Sequence, residues 1–389
     1  MREPVIVAYG RSAVGKAPKG SLKYTRTEDF ASQTLLGVLA RTPELPHDQI
    51  EDIVMGCAFP EAEQGLNMGR IVAGLAGLPD SVAAMTINRF CSSGVQTIAT
   101  ANNSILSGDI DVAVAGGAES MSLVPGGGNM NFPEMNLLHG HVGHYLSMGI
   151  TAENVAERYD ISREKQDALA LRSHQNAERA QKNGYFDGQI VPVRAVRPTE
   201  DGTGSEFFVF DRDEGVRHGA TIEALTGLRT VFKRDGTVTA GNSSQMSDGA
   251  GFVVMMNREK AQALGITPIA RVAAYAAVGV DPGIMGIGPI AAIPKVLKKA
   301  GMALSDIDLI ELNEAFAAQA VACIETLNLP EEKINVNGGA IALGHPLGGS
   351  GAVLTCKMFG ELQRRVKSVG LVSMCVGGGM GAAIIYEML

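Results

Sequence analysis

Leu45–Phe59 reads LPHDQIEDIVMGCAF, and Ala303–Phe316 reads ALSDIDLIELNEAF; the second echoes the first. Other pairs stand at nearly the same offset. PVIVAYG from Pro4 is echoed by PIARVAAY from Pro268, and GAGFVVMM from Gly249 by GAAIIYEM from Gly381. A helix opening at Gly94 runs into the strand DVAVAGG, and one opening at Gly351 runs into GLVSMCVGG. Each copy therefore reads strand, helix, strand, helix, strand, helix and two further strands. The near-continuous apolar strands are of the kind buried on both faces. A repeat of this kind predicts one supersecondary unit used twice. The expected fold class is α/β, a layered sandwich of duplicated five-stranded units.

The first copy is interrupted, because its fourth strand ends near Gly116 and its fifth begins near Asp248. Residues 119–245 thus form an inserted loop domain, 1–118 with 246–267 the N-terminal half, and 268–389 the C-terminal half. The insertion opens with MSLVPGGGNMNFPEM and continues through the amphipathic stretch SREKQDALALRSHQNAERAQKNG. Ser162 is placed to cap that helix and Gly184 to stop it. So long an insertion on a compact repeat is expected to shape a binding site.

Composition narrows the class. At 389 residues, 46% hydrophobic and 19% charged, the chain can bury a large core. It contains no uninterrupted apolar stretch long enough to span a membrane. The start, MREPVIVAYG, lacks the features of a secretion signal, and the end, YEML, is not a peroxisomal tripeptide. Five cysteines at irregular spacing make no disulfide framework, so a cytoplasmic location is expected. A net charge of −8 argues against a nucleic-acid surface. The arginines and lysines between Arg194 and Arg234 read as a solvated face.

Chemistry concentrates in glycine-dense turns. Cys91 lies in NRFCSSG, His345 in GHPLGGSG and Cys375 in CVGGGMG. Cys91 precedes a small-residue helix, where the dipole and free amides would favour thiolate. Cys375 closes a strand and is followed by three glycines whose amides could face a ligand. Cys57, Cys323 and Cys356 sit in apolar runs and read as core. In the duplicated fold, Cys91 and His345 precede equivalent helices, so a pseudo-twofold axis would bring them together. Asn313 in NEAFAAQ falls at the same carboxyl ends of strands, and is also placed to cap the helix that follows. His139, His141 and His144 cluster without Cys or carboxylate partners, so no metal site is expected. The GGGMG turn lacks the rest of a dinucleotide fingerprint.

NRFCSSG, AGNSSQMSDGA, NEAFA, NVNGGAIALGHPLGGSGA and CVGGGMG, in this order, resemble the signatures of the thiolase family from end to end. The resemblance implies that Cys91 carries an acyl group, that His345 activates it, that Cys375 is the acid/base and that Asn313 holds a water. It also implies two oxyanion holes, one from Asn313 and His345, the other from the amides of Cys91 and Gly377. Ser244, Arg217 and Met148 match family contacts to CoA and substrate. Ala224 and Ser147 depart from the biosynthetic members, which points to the degradative branch. The implied activity is CoA-dependent cleavage of 3-ketoacyl-CoA in fatty-acid β-oxidation. The alternative is acetoacetyl-CoA synthesis by an acetyl-CoA acetyltransferase. Decarboxylating condensing enzymes, which lack the Cys375 partner, and a non-enzymatic acyl-CoA carrier fit the motifs less well. CoA enters as substrate, with no permanently bound cofactor and no metal. The resemblance further implies a homodimer or homotetramer, with a hydratase/dehydrogenase partner in some degradative members.

Overall fold

The computed structural model describes residues 2–129 and 133–389, so 130–132 of the methionine-rich loop lie outside the described residues. Strands β1 (Pro4–Arg11), β2 (Gly15–Lys16), β3 (Asp52–Gly56), β4 (Ala83–Ile87) and β5 (Val112–Ser120) are interleaved with helices α1 (Thr27–Leu39), α2 (Met68–Leu75) and α3 (Ser93–Ser107). Then come α4 (Met135–Gly140), α5 (Met148–Arg158), α6 (Arg163–Lys182), a hairpin of β6 (Val193–Pro198) and β7 (Ser205–Phe210), and α7 (Ile222–Thr226). The sheet resumes at β8 (Ser247–Asn257), followed by α8 (Arg258–Leu264), β9 (Ala270–Gly279), α9 (Gly288–Ala300), β10 (Leu309–Leu312) and α10 (Ala317–Leu327). The chain ends with α11 (Ala340–Leu343), α12 (Leu347–Arg365), β11 (Val369–Val376) and β12 (Met380–Met388). Among the described residues no helix is long and apolar enough to cross a membrane.

The strands run β4-β3-β5-β8-β1-β9-β12-β11-β10 across one sheet, with β2 beside β8. Read outward from the centre, β1-β8-β5-β3 is matched by β9-β12-β11-β10, so the duplication is visible as a mirrored order. The halves meet at an antiparallel contact between Ile6 and Ala270. Within each half the second and fourth strands are parallel, β3 with β5 and β10 with β11.

The second half corrects the expectation of five strands in each copy. In the place of β4 it has a single bridge between Ile334 and Ile310. The Asn335 amide donates to the Ile310 carbonyl at 2.9 Å. Its side chain accepts from the Leu312 amide at 3.0 Å and donates to the Leu312 carbonyl at 2.8 Å. One asparagine thus satisfies the edge groups that a fifth strand would otherwise pair.

Alternation along the strands builds the layers. Ile6, Val54, Ala115 and Val253 face a central core with Val95 and Ile98 of α3 and Leu354 and Phe359 of α12. Their neighbours Val5, Ile53, Val114 and Val254 face Phe30 and Leu35 of α1 and Val72 of α2. In the second half Val372, Met374 and Ile384 face the same centre, while Leu371, Ala383 and Ile385 face α9 and α10. The order is helices, the strands of the first half, the pair α3 and α12, the strands of the second half, helices.

That central pair positions the site. A Cβ on Gly94 would lie 2.5 Å from the Ala352 nitrogen, and one on Gly351 would lie 2.3 Å from the Val95 nitrogen. The two helices touch backbone to backbone beside their N-termini, a contact only glycine permits. The segment between β5 and β8 is pinned to β1 by a buried ion pair, with Arg11 donating to both carboxylate oxygens of Asp213 at 2.7 and 2.8 Å. Ser162 caps α6 by accepting from the Lys165 amide at 3.4 Å.

Candidate active site

Cys91 stands in a 3₁₀ turn, Phe90–Ser92, between β4 and α3. The turn is forced and then locked. Phe90 has φ +41°, a conformation that side chains rarely adopt. The Phe90 amide donates to Asn88 Oδ1 at 2.7 Å and the Arg89 amide to Ser93 Oγ at 2.9 Å. Ser93 Oγ returns a bond to the Phe90 carbonyl at 2.8 Å, and Asn88 Nδ2 donates to the Ala58 carbonyl at 2.9 Å. The result presents the sulfur to two backbone amides, its own and that of Gly377.

Proximity to a helix N-terminus does not make Cys91 a resting thiolate. Burial pushes its thiol up to about 11, and the two amides only partly offset this. The cost of desolvating a sulfur anion exceeds what a helix terminus returns.

His345 follows Gly344, which has φ +103° and room for no Cβ, since one would lie 2.3 Å from Ser247 Oγ. The His345 amide donates to Ser247 Oγ at 3.0 Å and to the Gln245 carbonyl at 3.2 Å, tying the turn to the AGNSSQMSDGA stretch. Its ring Nδ1 lies 2.5 Å from Ser350 Oγ, whose hydroxyl donates to the Pro346 carbonyl at 2.9 Å. With the serine proton so committed, Nδ1–H is the donor in that pair and Nε2 keeps its lone pair. Nε2 lies 3.3 Å from Asn313 Nδ2. Burial lowers the imidazole to about 4, so it is neutral at pH 7 and can act as a base.

Ser350 was not among the residues that motif reading singled out, although its place five residues after the histidine, in the first turns of α12, was the available signal. Asn313 is not a helix cap. The helix begins four residues later at Ala317, with Phe316 at the N-cap, and the Asn313 amide instead donates to the Ser373 carbonyl at 2.9 Å. That bond carries the β10–β11 ladder one residue further and frees the side chain to meet His345.

Cys375 lies near the end of β11, fully buried, and burial together with the neighbouring Cys91 pushes its thiol well above the ordinary range. A Cβ on Gly377 would lie 3.6 Å from Met148 Sδ and 3.8 Å from the Phe90 ring, so Met148 adjoins the same space. The Ser244 amide donates to the Ala315 carbonyl at 2.9 Å, placing it beside the Asn313 loop. Arg217 is not in this cluster. It is exposed, and its amide donates to His174 Nδ1 at 3.2 Å on the flank of α6. His139 ends α4, and His141 and His144 follow in the next turn, all exposed. Among the described residues no three His, Cys, Asp or Glu side chains converge as a metal site. A cleft of about 700 Å³, lined by Arg41, Ile269, Leu362 and Ser368, lies at the opposite end of β11 from Cys375.

Cys57, Cys323 and Cys356 are buried as expected, and all five cysteines are free. The gathered groups are two thiols, a neutral imidazole whose Nε2 meets a carboxamide, and two amides beside one sulfur. Such a set can transfer an acyl group through a thioester and move protons at both ends of the reaction.

Comparison with known proteins agrees with this geometry. Residues 4–259 match the family described as Thiolase, N-terminal domain, and residues 266–388 the family described as Thiolase, C-terminal domain. The chain is 53% identical to a 3-ketoacyl-CoA thiolase of Bacillus subtilis, with 100% of both chains covered. It is 45% identical to a peroxisomal 3-ketoacyl-CoA thiolase of Homo sapiens, over 98% of this chain and 90% of that one. The solved structure of an acetyl-CoA acetyltransferase from Bacillus anthracis superposes with a TM-score of 0.91 at 41% identity, covering 100% of this chain and 99% of that one. Two halves in mirrored order, with a cysteine before α3 of one and a histidine before the partner helix α12 of the other, and full-length likeness on both counts, lead to one conclusion: the chain belongs to the thiolase family and is an acyltransferase.

Proposed function

We propose that the chain is a 3-ketoacyl-CoA thiolase, cleaving 3-ketoacyl-CoA with free CoA to acetyl-CoA and a shortened acyl-CoA through an acyl group on Cys91. The observation that carries this reading is the neutral His345, its Nε2 unprotonated beside Asn313, set before the helix that packs against the one following Cys91. On substrate binding the Cys91 proton passes to His345 Nε2 and the sulfur attacks the keto carbon. The amides of Cys91 and Gly377 receive the alkoxide. Collapse breaks the carbon–carbon bond and expels an enolate, whose oxygen is held by His345 Nε2–H and Asn313. Cys375 gives its proton to the enolate carbon, and acetyl-CoA leaves. The Cys375 thiolate then takes the proton of the incoming CoA thiol, which attacks the acyl group. The released Cys91 sulfur recovers its proton from His345, so protons balance over the cycle.

Residues 119–245 supply the substrate-binding face in this reading. Met148 adjoins the acyl space, Ser244 the pantetheine beside the Asn313 loop, and exposed Arg217 the nucleotide phosphates. CoA acts as a substrate, with no resident cofactor. Five free cysteines and likeness to a bacterial thiolase support a cytoplasmic location. A homo-oligomer, dimer or tetramer, is supported by β4, a sheet-edge strand whose residues are half-buried or exposed, Met85 among them.

The test is intact-mass spectrometry after mixing with a medium-chain 3-ketoacyl-CoA without free CoA. We expect an acyl adduct on Cys91 that disappears when CoA is added and is absent from Cys91→Ala. No adduct on the folded wild type would overturn the reading. The likeness to an acetyl-CoA acetyltransferase favours a second reading, condensation to acetoacetyl-CoA. Turnover confined to the four-carbon substrate in a chain-length series would select it.

A further inference from the structure

Glu119 takes no part in the chemistry above, yet it sits between its two principal groups. It lies on β5, fully buried. Its Oε2 accepts from the Ala58 amide at 2.7 Å and the Gly348 amide at 2.8 Å. Its Oε1 accepts from Gln64 Nε2 at 2.9 Å and the Phe59 amide at 3.2 Å, with the Cys57 thiol at 3.6 Å. Every group around the carboxylate is a donor, and none is a cation. A protonated carboxyl would bring an O–H with no good acceptor, so this pocket is built for the anion. Burial raises the Glu119 carboxyl above the usual carboxylate range, and the four N–H bonds offset this in part.

Those bonds lead to both halves of the site. Gly348 is in the first turn of α12, three residues after His345. Ala58 bonds Asn88 through its carbonyl, Asn88 bonds the Phe90 amide, and Phe90 is the strained residue before Cys91. The Phe59 ring lies against Phe90 with centroids 6.0 Å apart. One carboxylate therefore braces the cysteine turn and the histidine helix together.

We propose that Glu119 is a positioning residue that fixes Cys91 and His345 relative to each other. Other titratable groups at Cys91 are Cys375 on β11 and His345 before α12; Arg89, on the same turn, is bound to Gln96 at 2.7 Å. The charge of Glu119 adds to the burial of the sulfur in raising the Cys91 thiol.

The inference rests on Cys91 being the acyl carrier, and the two fail differently: no acyl adduct on the wild type sinks that reading, whereas this one is decided by kcat in Glu119 variants, with alkylation of Cys91 reporting whether its charge state has changed. Cys91 is the one free cysteine that is not fully buried. Its alkylation by iodoacetamide, read on the Cys91 peptide by mass spectrometry, can therefore be followed against pH. Glu119→Gln is expected to move the alkylation profile about one pH unit toward acid, as removal of a nearby buried charge should. The same variant should lower kcat about tenfold or more. Glu119→Asp keeps the charge but shortens the reach, so kcat should fall while the profile stays with the wild type. Should Glu119→Gln not fold, Gln64→Met removes one donor from the carboxylate, loosens the brace and should lower kcat by less, with the profile unchanged. A wild-type kcat in both Glu119→Gln and Glu119→Asp, or in Gln64→Met if that variant stands in, would overturn the positioning role.

Discussion

At the residue scale the site works by withholding charge. Cys91, Cys375 and His345 are each held neutral by burial at pH 7. The resting enzyme thus carries the reacting groups in the protonation states that the first proton transfer needs. Ser350 is the residue whose removal tests this most directly, because it accepts the Nδ1 proton of His345 and, with Asn313 donating at Nε2, sets the tautomer. Ser350→Ala leaves a buried Nδ1–H without its acceptor, at a cost of about 1–3 kcal/mol. We expect single-turnover acylation of Cys91 to slow roughly 10- to 100-fold, with KM little changed. A variant acylating at the wild-type rate would show that the tautomer is set elsewhere. The identities of Cys91, His345, Asn313 and Cys375 were legible because each sits in its own glycine-rich turn at matched points of the repeat. Their charge states were not, since sequence around Cys91 displays a helix terminus but not the protein that closes over the sulfur.

At the element scale, α3 and α12 are the device that joins the halves. Their contact at Gly94 and Gly351 leaves no space for a methyl group, the nearest atoms being backbone. Gly351→Ala must separate the helices, and overpacking of this kind costs about 1–3 kcal/mol. Because Cys91 and His345 stand at the starts of the same two helices, we expect a lower denaturation midpoint together with a kcat loss of tenfold or more. Stability lost with kcat unchanged would mean that the site is held by its turns alone. The repeat made these elements readable in order, since equal offsets place strands of both halves without any knowledge of packing. It misled where a side chain replaced backbone. Asn335 completes the edge of β10 by its amide, so a strand expected from symmetry shrinks to one bridge. Glu119 was hidden for a related reason: β5 runs to Ser120, past Gly116, and carries the carboxylate out of the apparent insertion into the sheet.

At the scale of the whole molecule, buried neutral imidazoles set an acid limit. His174 on α6 accepts from the Arg217 amide through Nδ1, and burial lowers it to about 4, as it does His345. An unfolded chain takes up these protons below about pH 6.5, whereas the folded chain resists until about 4. Each histidine therefore withdraws stability as pH falls through that window, by up to about 3 kcal/mol, and withdraws none above it. His174→Asn should be less stable than the wild type at pH 7.5, with the gap in Tm closing between pH 6.5 and 4. A gap independent of pH would contradict the assignment. The unequal ends of the sheet matter on a larger scale still. A perfectly symmetrical duplication would display the same sticky rim at either side, and identical copies could then line up without limit into a fibre. Closing one rim with a single asparagine leaves β4 as the rim that invites a partner, so association through it, as proposed, ends once two copies have met. In the proposed oligomer Asn335 would act in that sense as a chain terminator, converting a potential polymer into a particle of fixed count.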